Sequence, residues 1–100
     1  MITKIEENDG IMTVYLEGRL DTSASDATET ELKPVYETEC KEIILDCTQL
    51  EYIASSGLRL FLNMLIETKP QGKHIVIKGM SKPLCDVFDV TGFSNLFEFI

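Results

Sequence analysis

The sequence predicts an α/β fold in which a mixed β-sheet is covered by about three helices, in the element order ββαβαβαβ. Short apolar runs of strand length alternate with longer segments whose apolar residues recur every three or four positions. Glycine, proline and asparagine cluster at the boundaries between these segments. A length of 100 residues, 44% of them hydrophobic, suits one hydrophobic core, so we expect a single domain over residues 1–100.

The chain begins with a predicted β-hairpin followed by a helix. Residues 2–5 and 11–16 are β-rich, and Asn8-Asp9-Gly10 between them tolerates the positive φ angles of a tight turn. Residues 24–35 then carry small and apolar side chains at helical spacing. Pro34 lacks a backbone N–H, so we expect this first helix to kink or end there.

The centre of the chain predicts a buried strand and a largely buried helix. Residues 42–46 form a short apolar run that we expect to lie parallel to an earlier strand, across a helical crossover. A loop follows this strand in the prediction. The second helix is very apolar from Gly57 onward and ends near Lys69-Pro70-Gln71-Gly72, where strong helix breakers cluster.

The C-terminal third predicts a strand, a helix and a last strand. Residues 74–78 read as the strand. Ser81 offers an N-cap with Pro83 in the first turn, and Gly92 closes the third helix. Residues 95–100 are rich in Phe, Leu and Ile, which favours a final strand at the sheet edge.

Composition and charge exclude several classes of function. A net charge of −8 with only nine Lys and Arg residues argues against binding nucleic acid or an anionic membrane surface. No apolar run approaches the roughly 20 residues that a membrane span requires. The N-terminus has no secretory signal pattern, so we expect a cytoplasmic protein.

No residue pattern points to an enzyme, a metal or a cofactor. Cys40, Cys47 and Cys85 are odd in number and form no CxxC pair, so we expect reduced structural thiols. His74, the only histidine, lies far along the chain from the serine pair described below. The chain also has no GxSxG turn and no phosphate-binding glycine loop.

Two serines, Ser55 and Ser56, stand at the predicted start of the second helix. A helix N-terminus presents unpaired N–H groups and the positive end of the helix dipole. A serine at this position can cap the helix or carry a phosphate. Capping is the commoner role of such serines, and the residues alone leave both roles open.

Four segments, taken in order, resemble one family: Gly18-Arg19-Leu20-Asp21, Ile43-Ile44-Leu45-Asp46, Tyr52-Ile53-Ala54-Ser55-Ser56-Gly57-Leu58 and Val90-Thr91-Gly92-Phe93. Their order and spacing are similar to those of the STAS domain family, of the anti-sigma-factor antagonist type. The resemblance spans nearly the whole chain. It implies a STAS-like fold and a role in binding other proteins, with no catalytic activity.

The resemblance also implies a partner-switching cycle. The unphosphorylated antagonist binds an anti-sigma factor, which is a serine kinase, and thereby frees a sigma factor. The kinase phosphorylates the serine two positions before the glycine, here Ser55, with Ser56 as second choice, and a PP2C-type phosphatase restores the free form. The partner-binding residues implied are Asp21, Ser55, Ser56, Gly57 and Leu58, and we expect a monomer or a weak dimer.

Several points stay open at this stage. Many family members carry Asp directly before the phosphorylated serine, where this chain has Ala54. Asp21 is equally well explained as a turn or helix-capping residue. Arg59 can hold a phosphate or pair with Glu51, but a lone Arg on an apolar helix is more often a surface residue whose charged end reaches the solvent. One alternative is a STAS scaffold or regulatory subunit of a transport or stress-sensing complex. Another is a ligand sensor with a shallow nucleotide or anion site between the Ser55 turn and the Asp21 loop, although the acidic charge of the chain disfavours strong anion binding.

Overall fold

A mixed sheet of six strands organises the protein. The computed structural model describes all 100 residues, Met1–Ile100. None of its helices combines the length and the hydropathy that crossing a membrane requires. The elements are β1 (Ile2–Asn8), β2 (Ile11–Leu20), α1 (Thr22–Glu31), α2 (Lys33–Glu37), β3 (Glu42–Asp46), β4 (Leu50–Ile53), α3 (Ser55–Thr68), β5 (His74–Lys78), α4 (Lys82–Thr91) and β6 (Glu98–Phe99).

The N-terminal hairpin is confirmed, and its strands are longer than predicted. Asp9 and Gly10 form the turn with φ angles of 52° and 79°, and Asn8 faces Ile11 across it. Two consecutive positive φ values match the right-handed twist of the flanking strands. β2 runs on to Leu20, which carries the chain to the edge where the candidate site lies.

β2 pairs with two later strands in succession. Its first half lies parallel to β3, as predicted, and its last residues lie parallel to β4. The main path of the sheet is β1-β2-β3-β5-β6. β4 corrects the prediction, which placed a loop between β3 and α3. Only long-range pairing with β2 makes this segment a strand, and four residues carry too short a pattern to show it.

The first helical region is two helices. α1 ends at Glu31, and Pro34 lies in the first turn of α2. This position is tolerated because the first N–H groups of a helix have no intrahelical partner. The predicted break at the proline is therefore confirmed.

One face of the sheet and the helices that cover it form the core. Adjacent strands place buried side chains in aligned rows, such as Val14, Leu45 and Ile77, each fully buried. Phe61 of α3 and Phe88 of α4 pack over this face, with ring centroids 5.8 Å apart. The predicted α/β domain with a mixed sheet is confirmed.

The C-terminal elements follow the predicted order with shorter bounds. Ser81 is the N-cap residue of α4, although its hydroxyl makes no capping bond, and Gly92 ends the helix with φ of 79°. β6 pairs parallel with β5 at the sheet edge. It holds only two residues, because Phe93–Asn95 form a 3₁₀ turn where the prediction began the strand.

Candidate functional site

Two helix N-termini meet at the carboxyl edge of the sheet. β2 and β4 lie parallel, with Leu20 opposite Ile53, so both strands end at the same edge. The Ala54 amide donates to the Leu20 carbonyl over 2.9 Å, which joins the two chain segments just beyond the strands. α1 and α3 start from these adjacent points. The first turns of both helices therefore lie side by side, and this pair of turns is the candidate site.

Asp21 caps α1. Its Oδ1 accepts hydrogen bonds from the Ser23 hydroxyl at 2.8 Å and from the Ala24 amide at 2.9 Å. These bonds, with a smaller contribution from the Arg19 charge, lower the pKa of the Asp21 carboxyl. The helix-capping interpretation of Asp21 is confirmed. A contact with a kinase stays a prediction for this residue.

Ser55 is the first residue of α3 and does not cap it. Ala54 holds the N-cap position, with φ of −88° and ψ of 171°, and offers no side-chain acceptor. The capping interpretation of Ser55 is therefore wrong, because the helix begins one residue too early for it. The Ser55 side chain is exposed, and its hydroxyl makes no hydrogen bond within the protein. This hydroxyl therefore faces the solvent at the start of α3.

Ser56 is held differently from its neighbour. It is half-buried, and its Oγ lies 2.7 Å from the Oγ of Ser25 on α1. Ser25 also bonds the Asp21 carbonyl over 2.9 Å and is itself only 6% exposed. The sequence analysis missed Ser25, because only the folded structure brings the starts of the two helices together.

Gly57 and Leu58 fix the start of α3 against the sheet. A Cβ on Gly57 would lie 2.7 Å from Leu20 Cγ and 2.8 Å from Ile53 Cγ1, closer than packed carbon atoms approach. Leu58 is 7% exposed and belongs to the core. These two predicted partner-binding residues therefore support the surface that Ser55 presents, and Leu58 offers a partner only a small contact area.

The cations near the site have no carboxylate partner. The Arg19 guanidinium lies 4.4 Å from the centroid of the Tyr52 ring. Arg59 is exposed and forms no ion pair, which agrees with a surface residue and not with a pairing to Glu51. Arg59 follows Ser55 by four residues, which places both on the same face of α3. A positive charge thus lies one turn away from the free hydroxyl.

A shallow hollow of about 510 Å³ adjoins Ser55. Val90 precedes Thr91, which lines the hollow, and is 87% exposed, the largest exposure of any bulky apolar residue in the chain. The segment Val90-Thr91-Gly92-Phe93 carried part of the resemblance, but no role in binding was predicted for these residues. The residues that line the hollow are Ser55, Leu58, Arg59, Leu62, Thr91 and Phe93.

The groups that most often perform catalysis lie elsewhere. His74 bonds Glu42 and Glu98 at the opposite edge of the sheet. All three cysteines are free thiols. Burial raises the pKa of Cys47 to about 12, so this thiol stays protonated and unreactive near neutral pH. The candidate site itself consists of serine hydroxyls, an exposed arginine and apolar side chains around a shallow hollow.

Comparison with known proteins identifies the family of this domain. The family model of the STAS domain matches residues 3–100, and the chain belongs to this family. The anti-sigma-B factor antagonist of Staphylococcus epidermidis is 27% identical over 89 residues, which cover 89% of this chain and 82% of that protein. Relatives of this chain are thus anti-sigma factor antagonists.

Solved structures confirm the STAS-like fold. The anti-sigma factor antagonist SpoIIAA in its unphosphorylated form aligns with a TM-score of 0.76 at 18% identity, over 99% of this chain and 87% of that one. A sulfate transporter family protein of Wolinella succinogenes aligns with a TM-score of 0.78 at 19% identity, over 92% and 78% of the two chains. Proteins with different names and functions therefore share this fold.

Proposed function

We propose that this protein is an anti-sigma-factor antagonist that binds an anti-sigma serine kinase through the surface around Ser55. Binding occupies the kinase and frees a sigma factor, and phosphorylation of Ser55 ends the complex. The observation that carries the proposal is the Ser55 hydroxyl, which is exposed, free of hydrogen bonds and set at the rim of a hollow at a helix start. The names of the relatives support the same role.

The hollow is suited to a protein partner. Leu58, Leu62 and Phe93 give it an apolar floor, while Arg59 and Thr91 supply polar groups at its side. Apolar surface framed by polar residues is the usual pattern of protein–protein contact regions. Asp21, the N-cap residue of α1, follows Leu20, whose carbonyl bonds the Ala54 amide next to Ser55, and we assign Asp21 a polar contact to the kinase.

The fold can accept a phosphate on Ser55. The first N–H groups of the 14-residue α3 have no side-chain cap, and the positive end of the helix dipole favours an anion there. Arg59 adds a positive charge on the same helix face. A phosphoserine carries about −1.5 to −2 charges, so the contact surface changes sign while the helix stays intact. A partner packed against this surface then loses binding through repulsion and desolvation.

In the transfer, this chain is the substrate. The Ser55 Oγ attacks the γ-phosphorus of ATP, the bond from that phosphorus to the bridging oxygen of ADP breaks, and the hydroxyl proton passes to a base of the kinase. A PP2C-type phosphatase reverses the modification by hydrolysing the phosphoserine with water, which releases inorganic phosphate.

The test is phosphorylation by the anti-sigma kinase encoded in the same genome, in the presence of ATP and Mg²⁺. We expect intact-mass spectrometry to show one added phosphate on the wild-type protein and none on Ser55→Ala. Peptide fragmentation should locate the phosphate on Ser55. A wild-type protein that binds no such kinase and gains no phosphate would remove the basis of this proposal.

The contact surface has its own test with a matched control. Val90→Glu places a charge one residue before Thr91, which lines the hollow, and we expect it to weaken kinase binding about tenfold or more while stability changes little. Ile66→Glu is the control, because Ile66 is also exposed but lies three turns after Ser55 on α3. Isothermal titration calorimetry measures both affinities. Equal losses for the two variants would argue against a contact at the hollow.

The second candidate is a regulatory domain of a transport complex. The likeness to the sulfate transporter family protein favours it, although that likeness shows only the fold. A stable complex with a transporter protein encoded beside this gene, unaffected by Ser55→Ala, would favour this role. Binding of the kinase favours the first.

A further inference from the structure

The two adjacent serines at the start of α3 differ in what their hydroxyls do. Ser55 is exposed and makes no side-chain hydrogen bond. Ser56 is half-buried, with its Oγ 2.7 Å from the Oγ of Ser25. A kinase that reaches this turn therefore meets one free hydroxyl and one that is already bonded.

The direction of the bonded hydroxyls follows from counting protons. A serine hydroxyl has one proton to donate. Ser25 donates its proton to the Asp21 carbonyl over 2.9 Å. The short contact between Ser25 and Ser56 must then use the proton of Ser56. The chain of donors runs from Ser56 to Ser25 to the backbone of Asp21.

We propose that Ser25 determines which of the two serines is phosphorylated, because it holds the Ser56 hydroxyl and leaves Ser55 as the acceptor. The proposal rests on the proposed function, since it concerns the same modification. To accept a phosphoryl group, a hydroxyl must approach the γ-phosphorus and release its proton to a base of the kinase. The Ser56 proton points at Ser25, and its oxygen lies between two helices.

The burial of Ser25 makes this bond persistent. Ser25 is 6% exposed, so water competes poorly for its oxygen. Phosphorylating Ser56 would require breaking its bond to Ser25 and fitting a dianion beside the first turn of α1. Ser55 needs neither change. Ser25 is thus a specificity-determining residue that acts through Ser56.

The experiment moves the phosphate by releasing Ser56. The anti-sigma kinase, ATP and Mg²⁺ are incubated with the wild type, Ser55→Ala, and the double variant Ser55→Ala with Ser25→Ala. Trypsin cleaves after Lys41 and Arg59, so one peptide holds both serines, and electron-transfer fragmentation separates phosphate on Ser55 from phosphate on Ser56.

We expect phosphate on Ser55 alone in the wild type and almost none in Ser55→Ala. The double variant should gain phosphate on Ser56 about tenfold faster than Ser55→Ala, the factor that one net hydrogen bond is worth. Thr30→Ala in the Ser55→Ala background is the matched control, because Thr30 also bonds a carbonyl four residues back on α1 but lies away from Ser56. This control should stay unmodified.

The outcomes separate this inference from the proposed function. Phosphate on Ser55 in the wild type with none on Ser56 in the folded double variant overturns the role of Ser25 and leaves the proposed function standing. Rapid phosphorylation of Ser56 in Ser55→Ala overturns it as well. A wild type that gains no phosphate overturns both. If Ser25→Ala does not fold, Ser25→Cys keeps the volume and offers only a weak acceptor.

Discussion

The two edges of the sheet differ in how their charged and polar side chains are bonded. At the amino edge, where β3 and β5 begin, lysines are bound to carbonyl groups. The Lys73 Nζ donates to the carbonyls of Val35 and Tyr36, in both cases at a distance of 3.1 Å. The Lys41 Nζ donates to the carbonyl of Gln71, also at a distance of 3.1 Å. These lysines are bonded to the backbone, and His74 at the same edge is paired with Glu42 and Glu98.

The carboxyl edge has hydroxyl groups and exposed cations that are not paired with carboxylates. Ser55 makes no side-chain bond there, and Arg59 forms no ion pair. The difference follows from the connections between parallel strands, because each crossover helix starts at the carboxyl edge and ends at the amino edge. Helix C-termini attract cations and helix N-termini attract anions. The comparison teaches that the carboxyl edge, where the uncapped N-terminus of α3 lies, is the one whose helix dipoles favour an anion.

The largest effect should come from removing the buried lysine at the amino edge. Lys73→Met keeps the length of the side chain but leaves two carbonyls of α2 without their donor, one of them buried. We expect a loss of about 1.5–3 kcal/mol in the free energy of unfolding, measured by urea denaturation. Lys41→Met removes the exposed counterpart and should change stability by less than about 0.5 kcal/mol. Equal losses would contradict the difference in burial.

At the carboxyl edge, the packing of Gly57 is the most sensitive feature. Gly57→Ala forces a methyl group against Leu20 and Ile53, and we expect it to lower the free energy of unfolding by about 1–3 kcal/mol. Asn63→Ala, on the exposed side of the same helix, serves as the control in urea denaturation. An unchanged midpoint for Gly57→Ala would mean that the helix start can move away from the sheet.

The missing cap of α3 predicts a gain in stability. Ala54→Asp supplies a side-chain acceptor at the N-cap position, which should raise the free energy of unfolding by about 1 kcal/mol. Ala27→Asp, at an exposed position within α1, tests whether any added carboxylate has this effect. If thermal denaturation showed no gain in stability for Ala54→Asp, the missing cap would not limit the stability of the first turn of α3.

The smallest effect should be a pH dependence at the amino edge. Hydrogen bonding to Glu42, with the charges of Glu42 and Glu98, raises the pKa of His74 above its ordinary 6.5. Since the folded pKa is the higher one, the stabilisation is fully present below about pH 6.5 and is lost as pH rises through the folded pKa. The difference in urea midpoint between wild type and His74→Gln should therefore shrink from about pH 6 to pH 9. A constant difference would show that the charge of His74 contributes nothing.

The order of most elements could be predicted because local patterns determine them. Asp9 and Gly10 predicted the hairpin turn, Pro34 predicted the break between two helices, and Gly92 predicted the end of α4. β4 was not predictable, since its four residues form a strand only by pairing with the distant end of β2. The α3 start was placed at the serine pair, but the N-cap fell on Ala54.

The candidate site was predictable only in part. Ser55 and Asp21 were identified through the resemblance, and the structure brings the helices that start beside them together. Ser25 had no sequence signal, since it acts through a contact 31 positions along the chain. Val90 stood in a segment that carried the family resemblance, but nothing in the sequence assigned it a binding role. This part of the site depends on how α1, α3 and α4 are arranged in space, which local sequence patterns do not show.

The most direct test of the central claim is the affinity of the anti-sigma kinase for two forms of the protein, measured by isothermal titration calorimetry. We expect the form phosphorylated on Ser55 to bind at least about fivefold more weakly than the unphosphorylated form, the lower end of typical coupling between sites. Ser55→Ala should keep its affinity in the presence of ATP. Equal affinities for the two forms would contradict the claim that the carboxyl edge is a phosphate-controlled binding surface.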